Sequence, residues 1–328
     1  MRRGWWIGAA TVAALLAAGP LYVHERLRST ETRPRNLAAP PGGYWIHSHD
    51  TRVHFIEWGP RGGKPLLLVH GAFAWGASWA SQAEALAGAG YRVIAMDLPP
   101  FGFSEPPADA DYSRAAQAQR IQAVIGRLGP RPVTVVAHSL GAPPAVEAAI
   151  GAAQRVDQLV LVDPAWAPGA QGLGSCDAPA PLRKALDSPA VGRLLVGATV
   201  TEPHLTQHWL RQAVANPQAV TPGRIAQLQQ PFVNEGFSES VAQWARQTLA
   251  ECARAEAEPA RRMRELQTPV ALIWGEQDRV TPPAQAQAWR SALPRARLVT
   301  LPGLGHIPQM EDAARFNAAL LEVLRSPP

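Results

Sequence analysis

Three side chains in this 328-residue sequence have the types and local settings that acyl transfer requires. The first is Ser139, in Val133-Thr134-Val135-Val136-Ala137-His138-Ser139-Leu140-Gly141-Ala142. An apolar run leads into it and a helix-compatible stretch leads out. A serine on a sharp strand-to-helix turn has a strained backbone, and only small residues fit two places before and after it. Ala137 and Gly141 meet that demand. A hydroxyl alone is a poor nucleophile and needs a base that an acid orients. Downstream, Leu272-Ile273-Trp274-Gly275-Glu276-Gln277-Asp278 is an apolar run ending in an acid. Leu301-Pro302-Gly303-Leu304-Gly305-His306 ends in a histidine. Asp163, in Leu161-Val162-Asp163-Pro164, is a competing candidate for the acid. The remaining histidines, His47, His49, His54, His204 and His208 among them, show no metal spacing with acids or cysteines. No metal and no cofactor is therefore expected.

Such residues need strands beneath them. Continuous apolar runs of strand length occur at Leu66–His70, Tyr91–Met96, Val133–Ala137, Leu159–Val162, Val270–Trp274 and Arg297–Leu301. Runs apolar throughout are buried on both faces, as in a parallel sheet covered by helices. Tyr44–His49 and Arg52–Trp58 alternate and flank a tight turn at Asp50-Thr51, which predicts a hairpin. Helical stretches lie between the runs, at Ser78–Ala89, Arg114–Leu128, Leu140–Ile150, Ala284–Leu293 and Asp312–Leu324. Alternating strands and helices predict an α/β, doubly wound, mostly parallel sheet. Ligands gather at the C-terminal edge of such sheets, where all three candidates fall. The alternation breaks between Trp166 and about Arg262. Turn-rich stretches and helix-like pieces at Thr206–Ala215 and Ser240–Ala257 predict an inserted helical lid there.

On these motifs the sequence resembles the α/β-hydrolase superfamily, in its serine hydrolase branch with a helical cap. The matching segments also include His70-Gly71-Ala72-Phe73, Asp97-Leu98-Pro99-Pro100-Phe101-Gly102-Phe103-Ser104 and Gly305-His306-Ile307-Pro308. Pro100 departs from the glycine usual in that loop. The resemblance implies Ser139 as nucleophile, His306 as base and then acid, and Asp278 as the orienting carboxylate. It implies an oxyanion hole from the N–H groups of Leu140 and Ala72, with Phe73 the lesser candidate. His70 would brace the oxyanion loop and His138 would flank the nucleophile. Phe73, Trp75, His138 and Trp166 are the expected pocket residues, with Trp79 a further aromatic that either lines the pocket or packs. Haloalkane dehalogenases and epoxide hydrolases place aspartate at the elbow, so Ser139 argues against both. The expected reaction is hydrolysis of a small or medium carboxylic ester. Lactone, C–C bond and perhydrolysis chemistry use the same machinery and stay open. A catalytically silent binding fold would lack a member of the triad, and none is missing.

Composition sets outer limits on function. Apolar residues make up 47% and charged residues 17%, enough to bury a large core. The net charge of +5 is spread thinly, without the basic stripe of a nucleic-acid binder. The expected partners are a small-molecule substrate and a lipid bilayer. The bilayer expectation rests on Gly4 to Val23, which carries no charged side chain and would span about 30 Å as a helix. Arg2 and Arg3 precede it and Trp5 and Trp6 sit where an interfacial belt would be. An uncleaved anchor with the catalytic domain exported is expected, with signal cleavage and secretion as the alternative. The expected organisation is an anchor at 1–28, a linker at 29–43, core at 44–165, cap at 166–262 and core again at 263–328. The linker reading makes a chain starting near Pro41 self-sufficient. The two cysteines, Cys176 and Cys252, both fall in the insertion, where a disulfide would suit an exported protein.

Overall fold

A computed structural model gives the fold and describes residues 18–165, 179–254, 263–264 and 266–326. The apolar runs become eight strands: β1 (Gly43–His47), β2 (Arg52–Trp58), β3 (Lys64–Val69), β4 (Tyr91–Met96), β5 (Val133–His138), β6 (Val156–Val162), β7 (Val270–Gly275) and β8 (Arg297–Leu301). They form one sheet in the order β1-β2-β4-β3-β5-β6-β7-β8. β1 and β2 are the expected hairpin, and β2 pairs antiparallel with β4. From β4 to β8 every pairing is parallel.

The continuous apolar runs are explained by the two faces. Alternate side chains of a strand point to opposite sides. Leu67 and Val69 of β3 enter one core with Ile121 and Val124 of helix Arg114–Arg127, Ala145 of helix Ala142–Gly151 and Trp289 of helix Ala284–Ala292. Leu66 and Leu68 enter the other, with Leu86 of helix Ala80–Gly88 and Phe316 and Leu320 of helix Ala313–Arg325. Each face is thus covered, and each buried leucine contributes roughly 2 kcal/mol relative to exposure.

Between β6 and β7 the described residues are helical: Ala180–Leu186, Pro189–Thr199, Pro203–Ala213, Pro222–Gln229 and Phe237–Arg254. Three of these begin on a proline, which suits the first helical position because its missing N–H is unpaired there anyway. Cys176 and Trp166 lie outside the described residues, so the Cys176–Cys252 pairing does too.

The N-terminal region differs from expectation. Residues 4–17 of the expected span lie outside the described residues, while residues 18–30 form a helix. Among the described residues no helix is long and apolar enough to cross a membrane. The helix 18–30 lies on the insertion. Leu27 is fully buried. At Gly197 a Cβ would come within 2.8 Å of both Leu27 and Val23 side chains, so glycine permits this close seat. Arg26 donates to the carbonyls of Thr201 and Gly197, at the C-terminal end of helix Pro189–Thr199, where a cation is favoured.

The stretch expected to be a linker, residues 29–43, is docked. Thr32 and Arg33 N–H both donate to the Val233 carbonyl at 3.0 Å. Glu31 accepts the Ser238 N–H at 3.0 Å. Arg35 is buried and donates to the Pro100 and Ser104 carbonyls at 2.9 and 2.8 Å. Its guanidinium also lies over the Phe237 ring, 5.8 Å from the centroid. Proline-rich composition suggested a spacer. Tertiary partners that composition does not reveal make it a strap between the insertion and the 97–104 loop.

Candidate active site

Parallel pairing puts the C-terminal ends of β5, β7 and β8 along one edge of the sheet, and a loop leaves each end. Ser139 follows β5 directly and has φ 50°, a left-handed conformation that is costly for a side chain with a Cβ. The crowding that enforces it is measurable. A Cβ on Gly141 would sit 2.4 Å from the His70 carbonyl, and one on Gly71 would sit 2.9 Å from Ser139 Cβ. Small residues at these points let the loop after β3 lie against the turn after β5.

His306 comes from the loop after β8 and lies 2.9 Å from Ser139 Oγ through its Nε2. Its Nδ1 lies 2.8 Å from Asp278 Oδ2, in the loop after β7. All three side chains are buried. Asp278 accepts three further contacts: the Val280 and Thr281 N–H groups on Oδ1, at 2.7 and 2.9 Å, and the Thr281 hydroxyl on Oδ2 at 2.6 Å. Burial would raise its pKa, but the hydrogen bond and charge of His306 and the Thr281 donors outweigh it and hold the carboxyl below its ordinary value. It is therefore an anion at neutral pH, fixed before any substrate arrives. A serine hydroxyl, an imidazole and an anionic carboxylate in one hydrogen-bonded chain can move a proton off the hydroxyl as it attacks.

Leu140 lies in the 3-10 turn Ser139–Gly141. At the start of such a turn the N–H groups have no acceptor within the helix. Ala72 packs with Leu140 against an apolar cluster of Phe101, Trp244 and Phe237. Phe73 has φ 60° and is 42% exposed, with its ring edge-on to Phe101 and Trp244 at 5.6 and 5.8 Å. His70 is neutral and fixed: its Nδ1–H donates to the Gly71 carbonyl and its Nε2 accepts the Leu98 N–H. His138 donates through Nε2 to the His306 carbonyl at 2.8 Å. Burial, with His306 alongside, pushes the His138 pKa down to about 3, so it is an uncharged brace for the histidine loop.

The structure places two of the aromatic residues in packed positions. Trp75 is 1% exposed and donates to the Gln227 carbonyl of the insertion at 2.8 Å. It joins the insertion to the core and packs edge-on to Phe103 instead of lining an open pocket. Trp79 packs between His138 and Phe316. A cavity of about 640 Å³ opens elsewhere, beside Asp111, Leu186 and Arg246, and none of Ser139, His306 and Asp278 lines it.

Some residues of the site carried no expectation. Thr281 is one. An aspartate that accepts N–H groups two and three residues on is a local turn pattern readable from Asp278-Arg279-Val280-Thr281. Glu311 is another, and has no such local signal. It accepts N–H groups from Gly305 at 2.7 Å, Ala215 at 2.8 Å and Asn216 at 3.0 Å. With His306 N–H donating to the Ala213 carbonyl at 2.8 Å, it fastens the histidine loop to the end of helix Pro203–Ala213.

The α/β-hydrolase family model matches residues 64–313, from β3 past the histidine loop. The chain belongs to the α/β-hydrolase fold family. Among similar proteins, an uncharacterized protein of Mycobacterium tuberculosis is 31% identical over 304 residues, covering 88% of this chain and 83% of that one. A 2-hydroxy-6-oxononadienedioate/2-hydroxy-6-oxononatrienedioate hydrolase of Cupriavidus pinatubonensis is 25% identical, covering 83% of this chain and 90% of that one. The solved structure of a bacterial membrane phospholipase A superposes with a TM-score of 0.68 at 25% identity, covering 99% of this chain and 98% of that one. This α/β hydrolase is accordingly an enzyme of hydrolytic type.

Proposed function

We propose that the protein hydrolyses carboxylic esters through an acyl-enzyme on Ser139. The observation that carries this reading is the unbroken hydrogen-bonded chain from Ser139 through His306 to Asp278. His306 Nε2 takes the Ser139 proton as Oγ attacks the ester carbonyl. The oxyanion is held by the N–H groups of Leu140 and Ala72, each worth roughly 3 kcal/mol. The imidazolium, kept in place by Asp278, gives its proton to the leaving alcohol. Water then repeats the sequence and frees the acid. The helices between β6 and β7 act as a cap, with Phe73, Phe101 and Trp244 forming an apolar wall for the acyl or alkoxy group.

A second reading is C–C bond hydrolysis of a vinylogous 1,5-diketone by the same serine. The Cupriavidus relative, named for a 2-hydroxy-6-oxo diacid, supports it. One comparison separates the two. The purified protein is assayed against p-nitrophenyl esters of graded chain length and against a 2-hydroxy-6-oxo dienoate, with Ser139→Ala as control. Turnover of the esters alone supports the esterase reading. Turnover of the dienoate alone replaces it with C–C hydrolysis.

The run Gly4–Val23 serves as an N-terminal anchor that holds the catalytic domain on the exported face of a membrane. The charge-free length and the preceding Arg2 and Arg3 support this.

A further inference from the structure

Asp163 ends β6 beside the Asp278 loop, and no step of the proposed reaction uses it. Its backbone is in the left-handed region, with φ 42°. It is fully buried. Its Oδ1 accepts the Gly275 N–H at 2.8 Å, at the root of the loop that carries Asp278. Its Oδ2 is buried with no donor to it among the described residues. The Thr281 hydroxyl is 2.6 Å from Asp278 Oδ2 and 3.3 Å from the Asp163 backbone carbonyl, so it joins the Asp278 carboxylate to the end of β6. The Asp278 carboxyl is the charged and hydrogen-bonding neighbour that acts on the Asp163 carboxyl.

Two carboxyl groups in contact in a dry site do not both ionise; one keeps a proton. The donor count decides which. Asp278 accepts from two backbone N–H groups, a hydroxyl and an imidazole. Asp163 accepts from one N–H group. The anion belongs where the donors are, and a proton on Asp163 turns its orphaned oxygen into a donor with an acceptor at hand.

We propose that Asp163 is a neutral carboxylic acid that donates its Oδ2–H to the Asp278 carboxylate, a positioning residue that holds the orienting acid of the triad from behind. Burial, and then the charge of Asp278, raise its pKa well above the ordinary carboxylate range. The charged and titratable groups around it are Asp278 and Glu311, with His306 on the far side of Asp278. The inference deepens the esterase reading and rests on Asp278 being its acid.

Asparagine copies the neutral acid: its Oδ1 accepts from Gly275 and its Nδ2–H donates to Asp278. The test compares Asp163→Asn, Asp163→Ala and Asp278→Asn in the full chain, by p-nitrophenyl ester turnover and by thermal unfolding from pH 5 to pH 8. Asp163→Asn is expected to keep kcat within about threefold. Asp163→Ala is expected to lose about tenfold or more in kcat with KM little changed, and Asp278→Asn about a hundredfold or more. A buried neutral acid binds a proton on folding that the unfolded chain has released above about pH 4. The Asp163 contribution to wild-type stability is therefore lost as pH rises, and Asp163→Asn lacks that contribution. The Tm of Asp163→Asn minus that of wild type should climb across this range. The proposal is overturned if Asp163→Asn falls as far as Asp278→Asn, if it fails to fold, or if the Tm difference is flat with pH. A failed esterase reading looks different: Ser139→Ala and Asp278→Asn would both leave turnover intact, while the Tm trend would still report the Asp163 proton.

Discussion

Ser139 and His306 act as a unit in the proposed chemistry, because neither the nucleophile nor the base is useful without the other. Ser139→Ala and His306→Ala are each expected to lower kcat by about a thousandfold or more, and the double variant to be little worse than either. Ester turnover that survives in both would remove the serine mechanism. The backbone around the serine matters as much as its hydroxyl. A methyl group on Gly71 meets His138 Nδ1 at 2.8 Å as well as Ser139 Cβ at 2.9 Å. Gly71→Ala is therefore expected to displace the nucleophile and lower kcat by about tenfold or more. A measured kcat equal to wild type would mean that the loop yields without moving Ser139.

At the scale of elements, the histidine loop is held by the insertion as much as by the sheet. Glu311 receives three N–H groups, one from Gly305 and two from the chain after helix Pro203–Ala213. Glutamine keeps one oxygen and turns an NH₂ group toward N–H donors that then lack a partner. Glu311→Gln is expected to lower stability by about 1–3 kcal/mol, read from denaturant midpoints at unchanged m-value. It should also lower kcat, since the same contacts place His306. Lost stability with intact kcat would show that the β8 loop holds the histidine by itself.

Over the whole molecule, the N-terminal strap joins the two halves of the fold. Leu27 is buried on the insertion, Glu31 meets Ser238, and Arg35 reaches the 97–104 loop beside His70 and Phe101. A chain starting at Ala18 keeps these contacts, and one starting at Pro41 loses all of them. The shorter chain is expected to unfold at lower temperature, since burial of Leu27 alone is worth roughly 2 kcal/mol. It should also be cut faster by protease near residues 97–104. Equal melting of the two would show the strap to be an accessory. The proposed anchor lies before Ala18 for most of its length. The full chain should sediment with membranes and the chain starting at Ala18 should not.

The sequence by itself determined the sheet and the three side chains that meet at its edge. Strands buried on both faces are apolar throughout, so β3 to β8 were readable one by one. A residue just past a strand end in a parallel sheet must lie on one edge, so Ser139, Asp278 and His306 could be gathered without coordinates. Local chemistry was readable for the same reason: the demands of a tight turn on Ala137 and Gly141 fall within five residues. The tertiary structure decided everything that depends on partners far along the chain. Asp163 and Asp278 both end strands with an apolar run before them, and the count of donors around each separates the anion from the acid that keeps its proton. Trp75 had the composition of a pocket residue, and a carbonyl at Gln227 makes it a joint. Glu311 had no local signature, because two of its three donors come from a helix end about a hundred residues earlier. The strap had the prolines of a linker, and the buried guanidinium of Arg35, with the pairing of Thr32 and Arg33 to Val233, shows that it is packed. Local sequence carries backbone preference and the burial pattern, and electrostatic partnership across the chain exists only once the chain has folded.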